Sequence, residues 1–160
     1  MIRPCGATDV AAIDAIINEA AQAYRGVIPD DCWHEPYMER SELLSEIAAG
    51  VGFWGWDESG SLIGVMGIQK VRDATLIRHA YVRPGRQGRG IGAALLATLV
   101  VRAEGPLLVG TWAAAEWAIR FYQGHGFRLV PADEKNRLLQ TYWSIPVRQQ
   151  EVSVVLVRSG

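Results

Sequence analysis

The sequence is poor in cysteine, in net charge and in long apolar runs, and each shortage excludes a class of protein. Two cysteines among 160 residues are too few for a disulfide scaffold, and no ligand-spaced cluster of histidine and cysteine accompanies them, so we expect no metal. A net charge of −1 gives no overall attraction to nucleic acid or to an anionic membrane. The sequence has no run of about 18 apolar residues, the length that would span a bilayer, and nothing in it indicates a signal peptide. We therefore predict a cytoplasmic protein without nucleic-acid or membrane partners.

Length and hydrophobic periodicity indicate one α/β domain over residues 1–160, because a chain of this size buries one sizeable core. The pattern predicts strands over residues 1–3, 51–56, 61–71, 75–82, 106–112, 127–130 and 151–157. It predicts helices over residues 10–24, 41–49, 90–103, 115–126 and 131–143. We expect a mixed, mostly antiparallel sheet of six or seven strands flanked by about four helices. The strand–helix–strand unit over 75–112 makes two of the strands parallel.

The stretch VRPGRQGRGIGAALL, residues 82–96, places glycine and positive charge where a strand meets a helix. The first amides of a helix have no intrahelical acceptor, and the helix dipole adds positive potential there. Gly88, Gly90 and Gly92 remove side chains that would keep a diphosphate away from these amides. Arg86 and Arg89 can add charge-assisted contacts. The stretch therefore predicts a site for a nucleotide diphosphate.

Two other interpretations of the glycine stretch stay open at this point. It could be a flexible loop before a helix, since a lone glycine motif is weak evidence. It could also be a dinucleotide-binding turn, because Gly88, Gly90 and Ala93 fit that fingerprint loosely. That turn, however, requires an acidic residue about 20 positions on, at the end of the next strand. Here the strand over 106–109 is followed by Gly-Thr-Trp, which disfavours it.

Two motifs resemble those of the GNAT-type N-acetyltransferases. The segment QGRGIG, residues 87–92, preceded by Val82-x-Pro84, matches that family's pattern of Arg or Gln, two residues, Gly, one residue, and Gly or Ala. The segment AIRFYQGHGF, residues 118–127, matches the family's second motif, a helix ending in Tyr-x-x-x-Gly-Phe. The order of elements is similar to the family across nearly the whole chain.

The resemblance implies that acetyl-coenzyme A is the acetyl donor. Its diphosphate would lie on the amides of residues 87–93, and its pantetheine arm between the strands 75–82 and 106–112, which splay apart in this family, often with a bulge. The predicted cofactor-binding residues are Ala80, Tyr81, Val82, Gln87, Gly88, Arg89, Gly90, Ile91, Gly92, Ala93 and Phe121. One departure is Ala115, where many members have an asparagine that contacts the cofactor arm.

Transfer from a thioester to an amine poses two proton problems. The acceptor ammonium must lose a proton, and the departing thiolate is helped by gaining one. The resemblance places the hydroxyl of Tyr122 near the sulfur as the acid, although this ring could instead only pack. His79 is the candidate base, since imidazole titrates near neutrality. A core histidine, or a water relay without a protein base, is the alternative.

The acceptor site is expected from the segment 24–37 and from the chain between the last two strands. Tyr24, Asp30, Glu35 and Trp112 are the candidate substrate-binding residues, with the acids holding a cationic amine. Arg137 and Arg148 could instead select a carboxylate, so the sequence does not choose the substrate. We predict acetyl-coenzyme A-dependent N-acetylation of a small amine, amino acid analogue or peptide amine, with a homodimer as a possibility. The alternatives are a non-catalytic acyl-coenzyme A sensor and a dinucleotide-dependent oxidoreductase.

Overall fold

The computed structural model describes residues 1–159, which contain a seven-stranded mixed sheet. Its strands are β1 (Ile2–Pro4), β2 (Gly52–Glu58), β3 (Ser61–Val71), β4 (Ala74–Val82), β5 (Leu107–Trp112), β6 (Arg128–Leu129) and β7 (Ser153–Arg158). Their spatial order is β1-β2-β3-β4-β5-β7-β6. Only the pair β4 and β5 is parallel, and every other pair is antiparallel. The predicted mixed, mostly antiparallel sheet is confirmed.

Six α-helices, rather than about four, occur within residues 1–159. They are α1 (Val10–Ala20), α2 (Arg40–Ala48), α3 (Ile91–Val100), α4 (Glu116–Gln123), α5 (Ala132–Tyr142) and α6 (Val147–Glu151). With five residues, α6 is too short to establish a helical period in the sequence. The predicted first helix divides into α1 and a 3-10 turn, Ala21–Tyr24, which carries Tyr24 out of the helix. None of these helices is long and apolar enough to cross a membrane.

The sheet carries helices on both faces. On one face, α3 and α4 bury Ile77, Leu95, Leu107 and Leu156 in the largest core cluster. On the other face, α1 and α2 cover β2 to β4, and α5 covers β5 and β7. β3 is buried from Leu62 through Gly67, as expected for a central strand covered on both sides.

The parallel strands β4 and β5 pair for three residues and then separate. Pairing ends at Ile77 with Val109, although β4 continues to Val82 and β5 to Trp112. Directly beyond the last pair, β4 has a bulge in which His79 and Ala80 stand opposite one residue of β3. His79 adopts a left-handed φ of +53° there. Both the splay and the bulge that the family resemblance implies are therefore present.

Candidate active site

The loop between β4 and α3 forms a nest of backbone amides. Gly88 and Gly90 each have a φ of +79°, and no heavy atom lies within 4 Å of the position where either would carry a Cβ. Gly90 caps α3 without a side-chain hydrogen bond. From residue 87 to residue 93, no amide donates to a backbone acceptor within residues 1–159. An unpartnered row of amides at a helix N-terminus suits a phosphate group, so the nest fits the diphosphate of a coenzyme A.

A cleft of about 700 Å³ runs from this nest along β4 to α4. Its floor is the edge of β4 that lost β5 as a partner, which leaves room for an extended ligand between the two strands. The predicted cofactor-binding residues that line it are Ala80, Tyr81, Val82, Gln87, Gly88, Gly90, Ile91, Gly92, Ala93 and Phe121. Arg89, the remaining predicted residue, lies outside the lining. One continuous cavity thus brings together residues from β4, the loop, α3 and α4.

Two of the three arginines of the loop, Arg86 and Arg89, bind the same carboxylate. Glu58, at the end of β2, accepts hydrogen bonds from Arg86 at 2.7 Å and from Arg89 at 3.1 Å. The hydrogen bond from Arg86 holds the pKa of Glu58 below its ordinary value. Arg86 also reaches the cleft, whereas Arg89 is directed towards β2. The positive charge beside the nest is therefore partly neutralised by one exposed acid.

Helix α4 forms the second wall of the cleft. Trp117 stands at its opening, 43% exposed, and stacks on Tyr24 with ring centroids 6.0 Å apart and planes 23° apart. Because Tyr24 follows α1 and Trp117 belongs to α4, the stacked pair bridges the two sides of the cleft. Ala115, which replaces the family's asparagine, is completely buried beside Ile28 and Trp112. Its methyl group offers no hydrogen bond to a cofactor.

Tyr122 lies at the inner end of the cleft. Its ring packs edge-on against Phe121 and Phe127, and 5% of the residue is exposed. Burial raises the pKa of Tyr122, so the phenol stays protonated at neutral pH. No hydrogen bond to its hydroxyl forms among the described residues. A neutral phenol whose proton is uncommitted can donate to a departing thiolate.

Two tyrosines separate this cleft from a second, smaller cavity. Tyr24 and Tyr81 line both spaces. Burial raises the pKa of Tyr24, and the neighbouring hydroxyls of Tyr81 and Thr111 offset this only in part. Tyr37 lies beside the pair, 5.4 Å from Tyr24 between ring centroids, and accepts a hydrogen bond of 2.8 Å from the indole of Trp112. The three phenols are neutral at pH 7, and those of Tyr24 and Tyr81 form the boundary between the cavities.

His79, the predicted base, lies at the edge of the second cavity, on the side covered by α2. Its Nε2 is 2.6 Å from a carboxylate oxygen of Glu46, and its ring is sandwiched between Phe53 and Tyr81. Nδ1 makes no hydrogen bond to any described residue. Arg78 lies 3.3 Å from the same carboxylate. Burial alone would raise the pKa of Glu46, but the hydrogen bond with His79 and the charges of His79 and Arg78 bring it below its ordinary value.

The second cavity has a volume of about 120 Å³ and lies on the α1, α2 and α5 face of the splay. Of the candidate substrate-binding residues, Tyr24 and Trp112 line it, whereas Asp30 and Glu35 do not. Glu35 accepts a hydrogen bond from Gln22 instead. The lining comprises Tyr24, Tyr37, Ile77, Arg78, His79, Tyr81, Gly110, Thr111, Trp112, Leu139, Trp143, Ile145, Gln149 and Ser153.

Several residues of the site were not among the sequence candidates, including Glu46, Glu58 and Trp117, whereas Tyr37 ends the predicted acceptor segment 24–37. Glu46 and Glu58 acquire their roles through contacts with residues about 30 positions away, which no local pattern signals. Trp117 could have been found from the sequence, because it is a large aromatic residue directly before the second motif. Its side chain is 43% exposed and does not belong to the protein core.

Comparison with known proteins gives consistent matches. Residues 13–127 match the Acetyltransferase (GNAT) family. The peptidyl-lysine N-acetyltransferase YiaC of Escherichia coli is 34% identical over 77 residues, which are 48% of this chain and 50% of that protein. The match therefore spans only about half the length of this curated relative.

Solved structures share the fold across the full chain. The PaiA N-acetyltransferase of Thermoplasma acidophilum, in complex with coenzyme A, has a TM-score of 0.74 at 16% identity and covers 100% of this chain and 98% of its own. A ribosomal-protein-alanine N-acetyltransferase of Brucella melitensis has a TM-score of 0.69 at 18% identity, covering 100% and 99%. At identities of 16% and 18%, these similarities establish a shared fold and nothing about activity. Because the family match extends over most of the chain, and both motifs build the cleft, this chain belongs to the acetyltransferase (GNAT) family.

Proposed function

We propose that the protein transfers the acetyl group of acetyl-coenzyme A directly to a primary amine. The observation that carries this proposal is the meeting of two cavities at Tyr24 and Tyr81. One cavity ends in a nest of free amides, as a diphosphate requires, and the other is small and lined largely by aromatic and neutral polar side chains. A thioester in the first cavity and an amine in the second would face each other across the two phenols.

The amide nest would bind the diphosphate, and the free edge of β4 at Ala80 to Val82 would hold the pantetheine arm. The bound thioester supplies an activated acetyl carbonyl. Backbone amides of this strand edge would orient the carbonyl and stabilise the negative charge that develops on its oxygen. Trp117 and Tyr24 would cover the arm at the opening and limit the access of water.

His79 would take the proton that the acceptor ammonium must lose. Glu46 engages Nε2, which leaves Nδ1 as the nitrogen that receives this proton. As the carbon–nitrogen bond forms and the carbon–sulfur bond breaks, Tyr122 would give its phenolic proton to the sulfur. The products are the acetamide and the free thiol of coenzyme A. Of the two protons that the acceptor ammonium loses, one returns by way of His79 and solvent to the phenolate of Tyr122, and the other is released to solvent. Both cysteines are free, which agrees with a cytoplasmic site of action.

The test compares Tyr122→Phe with Tyr142→Phe, a tyrosine on α5 that binds Asp73 away from the cleft. Thiol release from acetyl-coenzyme A is followed across a panel of amines, and coenzyme A affinity is measured by calorimetry. Tyr122→Phe should lower kcat by about 10²- to 10⁴-fold with nearly unchanged affinity, and Tyr142→Phe should keep the wild-type rate. If the wild type binds coenzyme A but acetylates no amine, the protein is an acyl-coenzyme A sensor and the proposal is wrong.

A further inference from the structure

The second cavity contains no carboxylate among its described lining residues. The charged side chains in the lining are Arg78 and, when protonated, His79. The remaining polar groups are hydroxyls of tyrosine, threonine and serine, the amide of Gln149 and two indoles. This composition differs from the acidic pocket that the loop residues Asp30 and Glu35 suggest, and it determines which amine can bind.

Two carboxylates near the cavity are already paired with cationic side chains. Asp31 forms a two-point ion pair with Arg148, with distances of 2.8 and 3.3 Å, which ties the loop before α2 to α6. Glu46 binds both His79 and Arg78. A cation entering the cavity therefore meets no carboxylate in the lining, and Asp31 and Glu46 already have cationic partners. Glu42 of α2 makes no ion pair among the described residues, but it lies outside the lining.

Aromatic rings make up much of the cavity wall instead. Tyr24 lies 5.4 Å from Tyr37, 6.3 Å from Tyr81 and 6.4 Å from Trp112, as measured between ring centroids, and Trp143 closes the far side against Gly110. Ring faces and phenol oxygens attract a single alkylammonium through cation–π contacts and hydrogen bonds. They cannot compensate a second buried positive charge, which loses its hydration without gaining a counter-ion.

The size of the cavity limits the acceptor further. Its volume of about 120 Å³ compares with about 700 Å³ for the cleft, so it admits a small acceptor such as an unbranched amine with a chain of four or five carbons. A longer substituent must pass the segment that the pair of Asp31 and Arg148 holds against α6.

We propose that the acceptor is a singly charged primary amine on a short unbranched stem, recognised by the aromatic cavity rather than by a carboxylate. This inference rests on the proposed function and names its substrate class. Diamines and polyamines of the same length are excluded. The same chemistry occurs in a free alkylamine and in a lysine side chain, and the experiment below distinguishes these two sources.

The experiment compares pentylamine with 1,5-diaminopentane, which have the same stem and differ by one charge at pH 8. Pentylamine should have a kcat/KM at least about 30-fold higher, because the second ammonium of the diamine is desolvated without a partner. Equal or better use of the diamine would overturn the proposal. N-acetyl-lysinamide is a third acceptor: a higher kcat/KM than pentylamine identifies a peptide side chain as the source, and a lower one identifies a free amine.

A binding measurement separates this inference from the proposed catalysis. Quenching of tryptophan fluorescence by each amine, with coenzyme A bound, reports occupancy beside Trp112 and Trp143 without turnover. Preferential binding of pentylamine with no acetylation would contradict the catalysis and support the recognition. Failure of both amines to bind would overturn the recognition itself.

A charge introduced into the lining gives the sharpest form of the test. Gln149→Glu places a carboxylate in the cavity and should shift the ratio of kcat/KM values towards the diamine by at least about tenfold. The control Gln140→Glu adds the same charge to the exposed surface of α5, outside the lining, and should leave the ratio unchanged. Equal ratios in folded samples of both variants would show that the cavity does not select by charge.

Discussion

The role of the amide nest can be tested with two glycines of the same loop. Gly85 has a φ of +86° and Gly90 has a φ of +79°, and neither has a heavy atom within 4 Å of the position that a Cβ would take. Gly90 lines the cleft, whereas Gly85 does not. Substituting each by alanine therefore makes the same covalent change in the same backbone conformation, at one site inside the nest and one outside it.

The cost to folding should be the same for both variants. An alanine held in the left-handed region loses about 1–2 kcal/mol relative to glycine, and no steric clash adds to this. For a protein of this length, a loss of about 1 kcal/mol lowers Tm by about 2–4 °C. Thermal unfolding without ligand should therefore give similar decreases in Tm for Gly85→Ala and Gly90→Ala.

The effect on coenzyme A should differ between them. A methyl group on Gly90 stands over the amides that begin α3, so one or two hydrogen bonds to the diphosphate are lengthened or lost. Each hydrogen bond to a charged group contributes about 1.5–3 kcal/mol, so the loss of one or two should raise the Kd of coenzyme A by about 10- to 10⁴-fold in Gly90→Ala. Gly85→Ala should bind coenzyme A as the wild type does.

Isothermal calorimetry measures the Kd of coenzyme A for each of the two alanine variants. Pantetheine, which lacks the diphosphate, serves as a second ligand. The nest interpretation requires that Gly90→Ala weakens coenzyme A much more than pantetheine. If both alanine variants weaken coenzyme A equally, the loss reflects loop conformation. If neither does, the diphosphate binds elsewhere.

Three further results are expected. Burial raises the pKa values of Tyr24, Tyr37, Tyr81 and Tyr122, so these phenols stay neutral in the folded protein while those of the unfolded chain ionise above pH 10. The free energy of unfolding in urea should therefore not change with these phenols up to about pH 10, and should fall above it by up to about 1.4 kcal/mol per pH unit for each buried tyrosine. The hydrogen bond from Arg3 holds the pKa of Asp9 at about 2, so its stabilisation is present above the ordinary pKa and lost as pH falls towards 2; Asp9→Asn should lower Tm by a few degrees at pH 7 and not at pH 2. Trp117→Leu removes the ring that stacks on Tyr24 and should raise the KM of acetyl-coenzyme A by up to about tenfold. The ring of Trp33 packs on Tyr37 instead, so Trp33→Leu should leave this KM unchanged.

Much of the fold follows from local patterns in the chain. The apolar run over 61–71 predicts β3 with its observed bounds, and turn residues delimit the neighbouring strands. The predicted bounds of the helices agree less well with the structure. The ends of a helix depend on contacts with other parts of the chain, which the spacing of apolar residues does not predict. The chain continues past α1 in a 3-10 turn that turns Tyr24 towards the splay, and α6 is a single short turn after Pro146.

The cofactor side of the candidate site was predictable for the same reason. An amide nest is built from consecutive residues, so the glycine spacing over 88–92 specifies it almost completely. What the spacing could not reveal is the partner of the arginines, since Glu58 lies 28 and 31 residues before them. The acceptor side is assembled from the chain before α2 and from β4, β5, α5 and α6, and an ion pair beside it joins residues 117 positions apart.

The bulge in β4 explains why the acceptor side resists prediction even within a single strand. Ile77 packs under α3, and strict alternation would place Tyr81, four residues on, on that same face. The extra residue at the bulge reverses the alternation, so Tyr81 instead packs with α1 and α2. The left-handed conformation falls on His79, which adopts it more readily than most residues other than glycine, so no glycine marks the position. One unpaired residue thereby ends the pairing of β4 with β5, opens the cleft and brings the phenol of Tyr81 to the boundary of both cavities.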